Sequence, residues 1–251
     1  MLREALVRSA RVCAVTREKV EKIHALYPEV RAVWIPNGID LNEWQPLPSH
    51  LKHAHDWRHQ NVKASRKVLG LFGHIKLKKG GLFFLQNFYD SGTAHRFHLL
   101  AIGEAEPEVL SWLSEHAQCV DYQLIPFVDR SQLLGWYPAC DLVVLPSFYD
   151  GMPNVLLEAA ALGIPLLASQ AGGMDDVLEE GKHAFLFAPG NGEECRSAIA
   201  KAANSEELRG MGEACRTVVQ NEFNHHLEAE RYLAVFHETL ASQRQIIGGA
   251  S

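Results

Sequence analysis

The stretch DLVVLPSFYDGMPNVLLEAAALGIPLLAS, Asp141–Ser169, decides how this chain is read. An apolar run ends in Pro-Ser, a turn-rich loop follows, and a helix-period segment leads to a second apolar run. The pattern is strand, loop, helix, strand, with strands buried on both faces. Pro153 suits a first helical position, where its missing N–H costs nothing. The amides of Asn154, Val155 and Leu156 then have no partner within the helix. With the helix dipole they form an anion site suited to a diphosphate. Gly151 lets the backbone approach a ligand, and Met152 shares that loop. Asp150 precedes the helix, and Glu158, eight residues later, lies over one turn inside it. A carboxylate accepts two hydrogen bonds from a vicinal diol, so both acids suit sugar hydroxyls. Taken alone, a turn aspartate and an ordinary helix glutamate are the plainer reading.

The same alternation extends outward. Strands are expected at Lys67–Gly73, Phe97–Gly103, Asp121–Ile125, Asp141–Pro146, Ile164–Ser169 and Ala184–Phe187. Helices are expected near Gly80–Asp90, Pro107–His116, Ser131–Tyr137, Pro153–Leu162 and Met174–Glu180. This is an α/β chain with a Rossmann-like parallel sheet and helices on both faces. Ligands of such sheets bind at the carboxyl ends of the strands. After about Gly190 the pattern is helical, and those helices are expected to pack on the sheet. Leu2–Pro28 reads as helix, short strand VCAV, helix. QPLPSHLKHAHDWRHQNVKASRK lacks apolar periodicity and is expected to be a surface excursion; IIGGAS reads as a frayed tail.

Composition narrows the classes. The 251 residues carry 24 basic and 30 acidic side chains, a net charge of −6, which argues against a general nucleic-acid binder. Five scattered cysteines without C-x-x-C read as free thiols in a reducing cytoplasm. No run approaches a membrane span, and the first residues show no signal peptide. His50, His53, His55 and His59 have ligand-compatible spacing, but an irregular loop would leave their geometry unfixed.

Two further segments bear on the loop. In LASQAGGMDDVLEE, Gly172 and Gly173 follow a strand and can offer backbone amides to another part of the same ligand. By itself the pair reads as ordinary loop glycines. In LGLFGHIKLKKGG, a strand ends at Gly73 and Lys76, Lys78 and Lys79 follow, a cluster able to neutralise phosphate oxygens. By itself the cluster reads equally well as a solvated loop.

PSFYDGMPNVLLEAAALGIPLLAS, the GG after it, KKG after the first main strand and IPNGID before it resemble the retaining glycosyltransferases of family 4. The resemblance covers the chain from about Val12 onward. It implies the GT-B fold, two Rossmann-like domains with the active site between them. It implies that Glu158 holds the donor ribose and that Asp150, where the family has Glu, contacts the donor sugar. It implies that the Met152–Leu156 backbone binds sugar hydroxyls and diphosphate, and that Lys79 binds the distal phosphate. Gly73 matches the glycine ending the first strand, and His74 stands where an Arg is common. The loop around Pro126 and Phe127 matches the base-binding segment. Asp150 is one methylene short, and His74 is uncharged near neutral pH unless shifted; Lys76 or Lys78 is positioned to compensate.

The resemblance divides the chain into 1–36, a remnant of an acceptor domain and linker; 37–223, the nucleotide-sugar-binding domain; and 224–251, a crossing helix and tail. The expected function is donor binding in sugar transfer with retention. The partners are a nucleotide sugar, a carbohydrate or lipid-linked acceptor reached through a missing domain or subunit, and a second copy through exposed apolar surface. No D-x-D is present, so no obligatory metal or other cofactor is expected. The expected location is cytoplasmic, with a peripheral position at the inner membrane face as a variant. A non-catalytic binding module is the alternative. A glycosidase using Asp150 and Glu158 is disfavoured, because a helix start favours ionised carboxylates.

Overall fold

The computed structural model describes residues 2–248. In chain order its elements are α1 (Leu2–Arg8), β1 (Val12–Ala14), α2 (Arg17–Leu26), β2 (Ala32–Trp34), α3 (Pro48–Asn61), β3 (Lys67–Phe72), α4 (Gly81–Asp90), β4 (Phe97–Ile102), α5 (Pro107–Glu115), β5 (Tyr122–Ile125), α6 (Arg130–Leu133), β6 (Leu142–Leu145), α7 (Asn154–Ala161), β7 (Leu166–Ser169), β8 (Ala184–Phe187), α8 (Gly192–Asn204), α9 (Leu208–Glu222) and α10 (His225–Gly248).

Six strands form one sheet in the order β5-β4-β3-β6-β7-β8, every pair parallel. All six expected strands are present. Their apolar runs are continuous because both faces are covered, so successive residues enter different cores. Val68 and Phe72 of β3 pack with Leu156, Cys215 and Val219. Leu69 and Leu71 pack with Phe84, Phe88 and Ile199 on the opposite face. Chain order reverses between β3 and β6, which makes their carboxyl ends the switch point of the sheet. There the pairing also parts. β3 pairs β4 from Lys67 to Phe72, but meets β6 only at Leu69↔Leu142 and Gly70↔Val143.

Several expectations need correction. The segment read as a surface excursion contains α3, which starts with Pro48 at its first turn and buries Ala54 and Trp57. Trp57 Nε1 donates to Gln123 at 2.9 Å, and Arg58 pairs with Asp141 at 2.7 Å, so α3 is tied to the sheet edge. The helix expected at Met174–Glu180 is instead a single 3-10 turn at Gly172–Met174 followed by turns. The helix expected at Ser131–Tyr137 shortens to α6 and a separate 3-10 turn at Tyr137–Ala139. Of the last three helices, α8 packs on the sheet and α4, and α9 packs on α7. α10 leans instead on the two-stranded β1–β2 sheet, with Arg231 5.4 Å over the Trp34 ring and Arg11 3.7 Å from Glu238. α10 runs through Gly248, into the segment expected to fray, and Gly249–Ser251 lie outside the described residues.

The five cysteines are free thiols, with Cys13 and Cys119 exposed. Among the described residues no helix is long and apolar enough to cross a membrane. The His55 and His59 rings of α3 lie 6.5 Å apart, stacked, but the four histidines take different partners. His50 Nδ1 accepts from the Leu47 amide, His53 stands edge-on to Trp136, and His55 turns to Asp56. No group of three or more possible metal ligands converges among the described residues.

Candidate functional site

The gap between β3 and β6 opens into a cavity of about 250 Å³. Leu71, Phe72, Val144 and Leu145 form its floor, and Gly73, His74, Lys79, Ser147, Asp150, Pro153, Asn154 and Val155 its walls. Two loops meet over it. Gly80 closes a 3-10 turn at Leu77–Lys79 with φ +73°, and an added Cβ there would overlap the Pro146 carbonyl oxygen. Only glycine lets the lysine loop sit against the Pro146–Pro153 loop.

That contact delivers Lys79 to Asp150. Lys79 Nζ donates to Asp150 Oδ2 at 2.7 Å, Ser147 Oγ donates to the same oxygen at 3.2 Å, and the Gly151 amide donates to Oδ1 at 2.8 Å. The aspartate side chain is 16% exposed and the lysine 40%. Of the three loop lysines, Lys79 lines the cavity. His74 Nδ1 lies 3.5 Å from Glu104 Oε2.

α7 begins one residue later than expected. Pro153 is its N-cap, with ψ 133°. The Leu156 amide turns back to the Pro153 carbonyl at 3.1 Å, so it is no longer free for a ligand. The Asn154 and Val155 amides have no protein acceptor among the described residues. The loop before α7 is pinned from two sides. Asn37 Nδ2 donates to the Met152 carbonyl at 3.2 Å, and the Gly173 amide donates to the Gly151 carbonyl at 2.6 Å. Gly173 therefore holds the loop instead of offering its amide to a ligand. Gly172 is required for the same approach, since a Cβ there would overlap the Asp150 carbonyl.

Glu158 lines a neighbouring cavity of about 310 Å³ with Gly38, Asp40, Arg130, Asn154 and Leu157. Asn154 belongs to both cavities, so the two acids stand on either side of it. The fully buried Tyr137 donates its hydroxyl to Glu158 Oε2 at 2.7 Å. Tyr137 is itself fixed by Phe72, stacked at 4.2 Å, and by Trp44, edge-on at 5.6 Å. Burial pushes the Glu158 carboxyl above its ordinary range, while the Tyr137 hydrogen bond and the Arg130 charge pull it back. Burial also pushes the Tyr137 hydroxyl well up, so it stays a donor. A third cavity, about 110 Å³, adjoins the first through Gly73 and His74 and is walled by Gly103, Glu104, Phe127, Val128 and Leu133. Phe127 is exposed at its rim, and Pro126 is exposed beside it without lining the cavity.

The fold thus gathers Gly73, His74, Lys79, Asp150, Pro153, Asn154, Val155, Glu158 and Phe127 along one edge. Tyr137, Ser147, Arg130 and Asn37 were not among the expected site residues. Asn37 stands in the Pro-Asn-Gly turn of IPNGID and Ser147 in the Pro-Ser that ends the apolar run, while Tyr137 and Arg130 carry no local signal.

A family model described as glycosyl transferases group 1 matches residues 66–205. D-inositol 3-phosphate glycosyltransferase of Corynebacterium jeikeium is 28% identical over 192 residues, 71% of this chain and 45% of that protein. The Escherichia coli UDP-Gal:alpha-D-GlcNAc-diphosphoundecaprenol alpha-1,3-galactosyltransferase is 25% identical over 226 residues, 85% of this chain and 56% of that protein. The chain thus spans about half the length of these relatives. Sucrose-phosphate synthase from Thermosynechococcus elongatus shares the fold with a TM-score of 0.79 at 21% identity, over 96% of this chain and 61% of that one. Anabaena HepE in complex with UDP-glucose does so with a TM-score of 0.74 at 22% identity, over 96% of this chain and 67% of that one.

Proposed function

This chain belongs to the glycosyl transferases group 1 family, and from that premise we propose that it is the donor-binding half of a retaining glycosyltransferase. The observation that carries the reading is the crevice at the sheet's switch point, where Lys79 and the free Asn154 and Val155 amides converge. This set suits a nucleoside diphosphate. The amides and the lysine take the phosphates, Glu158 takes the ribose hydroxyls, and the rim at Phe127 takes the base. Asp150 faces the transferred sugar. As the bond to the sugar breaks, negative charge grows on the leaving diphosphate, and fixed N–H donors and Lys79 stabilise it without reorganising. The chemistry needs no bound metal in this proposal. The carbohydrate or lipid-linked acceptor is supplied by a separate domain or subunit.

A second reading, a binding module that acts only with such a partner, is favoured by one feature. Leu233, Phe236 and Leu240 are each more than half exposed on one face of α10. Leu26 on α2 is exposed as well, and exposed apolar side chains of this kind are ones that proteins cover.

Calorimetry decides the donor reading. UDP, GDP, ADP and their glucose conjugates are titrated into the chain with and without chelator. Binding of at least one diphosphate that survives the chelator is expected. No binding of any of them overturns the reading, and binding abolished by chelator overturns its metal-free part. Turnover by the isolated chain would exclude the module reading.

A further inference from the structure

Glu158 can accept hydrogen bonds from a ligand fully only while it is ionised, since a protonated carboxyl loses its charge and one acceptor site. Its surroundings work against that. It is half-buried at the wall of its cavity, and burial raises its proton affinity. Tyr137 supplies one fixed hydrogen bond to Oε2. The other favourable group is Arg130, at the start of α6, which lines the same cavity as Glu158.

Two neighbours hold Arg130. Its Nη2 lies 3.1 Å from Glu43 Oε2, and its guanidinium sits 5.2 Å over the Trp44 ring. Trp44 is buried and also braces Tyr137. One indole therefore fixes both groups that face Glu158. A planar guanidinium stacks on such a ring and keeps its charge at every accessible pH. Of the other charged groups around the cavity, Glu228 accepts the Gly38 amide on Oε2 at 2.8 Å. Asp40 lines it, but its Oδ1 accepts the Asn42 amide at 2.9 Å and lies 3.7 Å from His225 Nδ1. Glu43 is paired with Arg130, and the buried Cys140 thiol beside Tyr137 is pushed so far up that it stays neutral.

We infer that Arg130 is a positioning residue for nucleotide binding, a cation braced by Glu43 and Trp44 that holds the Glu158 carboxylate in its charged, ligand-accepting form. This rests on the reading that Glu158 receives hydroxyls of the nucleotide. Arg130 need not touch the ligand. Its removal moves the pH at which binding is gained, while a contact residue would weaken binding at every pH. The sign follows from linkage. With Arg130 gone, Glu158 ionises at higher pH, so affinity is lost on the acid side and regained on the alkaline side.

The test measures dissociation constants of UDP, GDP and ADP from about pH 5 to about pH 8.5 for the unmutated chain, Arg130→Gln and Arg130→Lys. Ratios of variant to unmutated chain at each pH cancel the titration of the ligand's own phosphates. Arg130→Gln is expected to shift the acid limb to higher pH. Its affinity should rejoin that of the unmutated chain at the alkaline end, and Arg130→Lys should keep most of the original midpoint. A uniform loss at every pH, or an unchanged profile, overturns the inference. If the unmutated chain binds none of the three at any pH, the donor reading itself has failed.

Discussion

Lys79 Nζ and Asp150 Oδ2 lie 2.7 Å apart, so the cation suited to a phosphate and the acid suited to a sugar are partners of each other in the crevice wall. A diphosphate entering the crevice competes with Asp150 for that lysine. The Asp150→Asn change frees Lys79 from its counter-charge and should leave the bare diphosphate bound as tightly or more tightly. The sugar-bearing donor should bind more weakly to the same variant. Lys79→Met should weaken both ligands by about ten- to a hundredfold, the worth of a charge-assisted hydrogen bond. Six dissociation constants, two ligands against the two variants and the unmutated chain, check this, and a large loss of bare diphosphate in Asp150→Asn would count against the division of roles.

Glu158 trades stability for binding. Its raised pKa means that the folded state holds the proton more firmly than the unfolded chain does. Stability therefore falls as pH rises from the ordinary carboxylate range through the raised value. Glu158→Gln removes that penalty and still accepts the Tyr137 hydroxyl. Its melting temperature without ligand at pH 7 should equal or exceed that of the unmutated chain, and nucleotide affinity should drop about ten- to a hundredfold. Scanning calorimetry at pH 5 and pH 7 checks the sign: the advantage of the variant should be larger at the higher pH.

Gly172→Ala should damage the loop beyond its local strain. Gly172 and Gly92 both sit at left-handed φ, +63° and +69°. A Cβ at Gly92 meets nothing within 4 Å, whereas at Gly172 it strikes the Asp150 carbonyl. Gly92→Ala should cost about 1–2 kcal/mol, the cost of the left-handed conformation alone. Gly172→Ala should cost more and also lower donor affinity, because the Asp150 loop must move. Chemical denaturation of the two variants, read beside donor binding, separates strain from displacement.

How much was legible depended on how local the signal was. The six strands of the main sheet were readable as short, mainly apolar runs, such as KVLGLF in β3 and LVVL in β6. α3 was not, because only Ala54 and Trp57 of its 14 residues are buried, too few to show a helical period. Pro48 at its start was the one usable sign. The segment from Met174 onward reads as helix because the buried Met174, Val177 and Leu178 recur at helical spacing, yet the backbone there is turns.

The sequence by itself determined the alternation of strand and helix, the carboxyl-edge loops and the acids at Asp150 and Glu158. Those features follow from period, turn chemistry and composition, which act over a few residues. Only the tertiary structure decided which donors remain free. Leu156 and Gly173 looked available, yet their amides bond to Pro153 and Gly151. It also decided what faces each acid. Lys79 meets Asp150 across 71 positions, and Tyr137 meets Glu158 across 21. The physical reason is that a hydrogen-bonding group takes whatever partner the packed chain brings within about 3 Å, and that choice is made by the sheet order and the loop contacts over it.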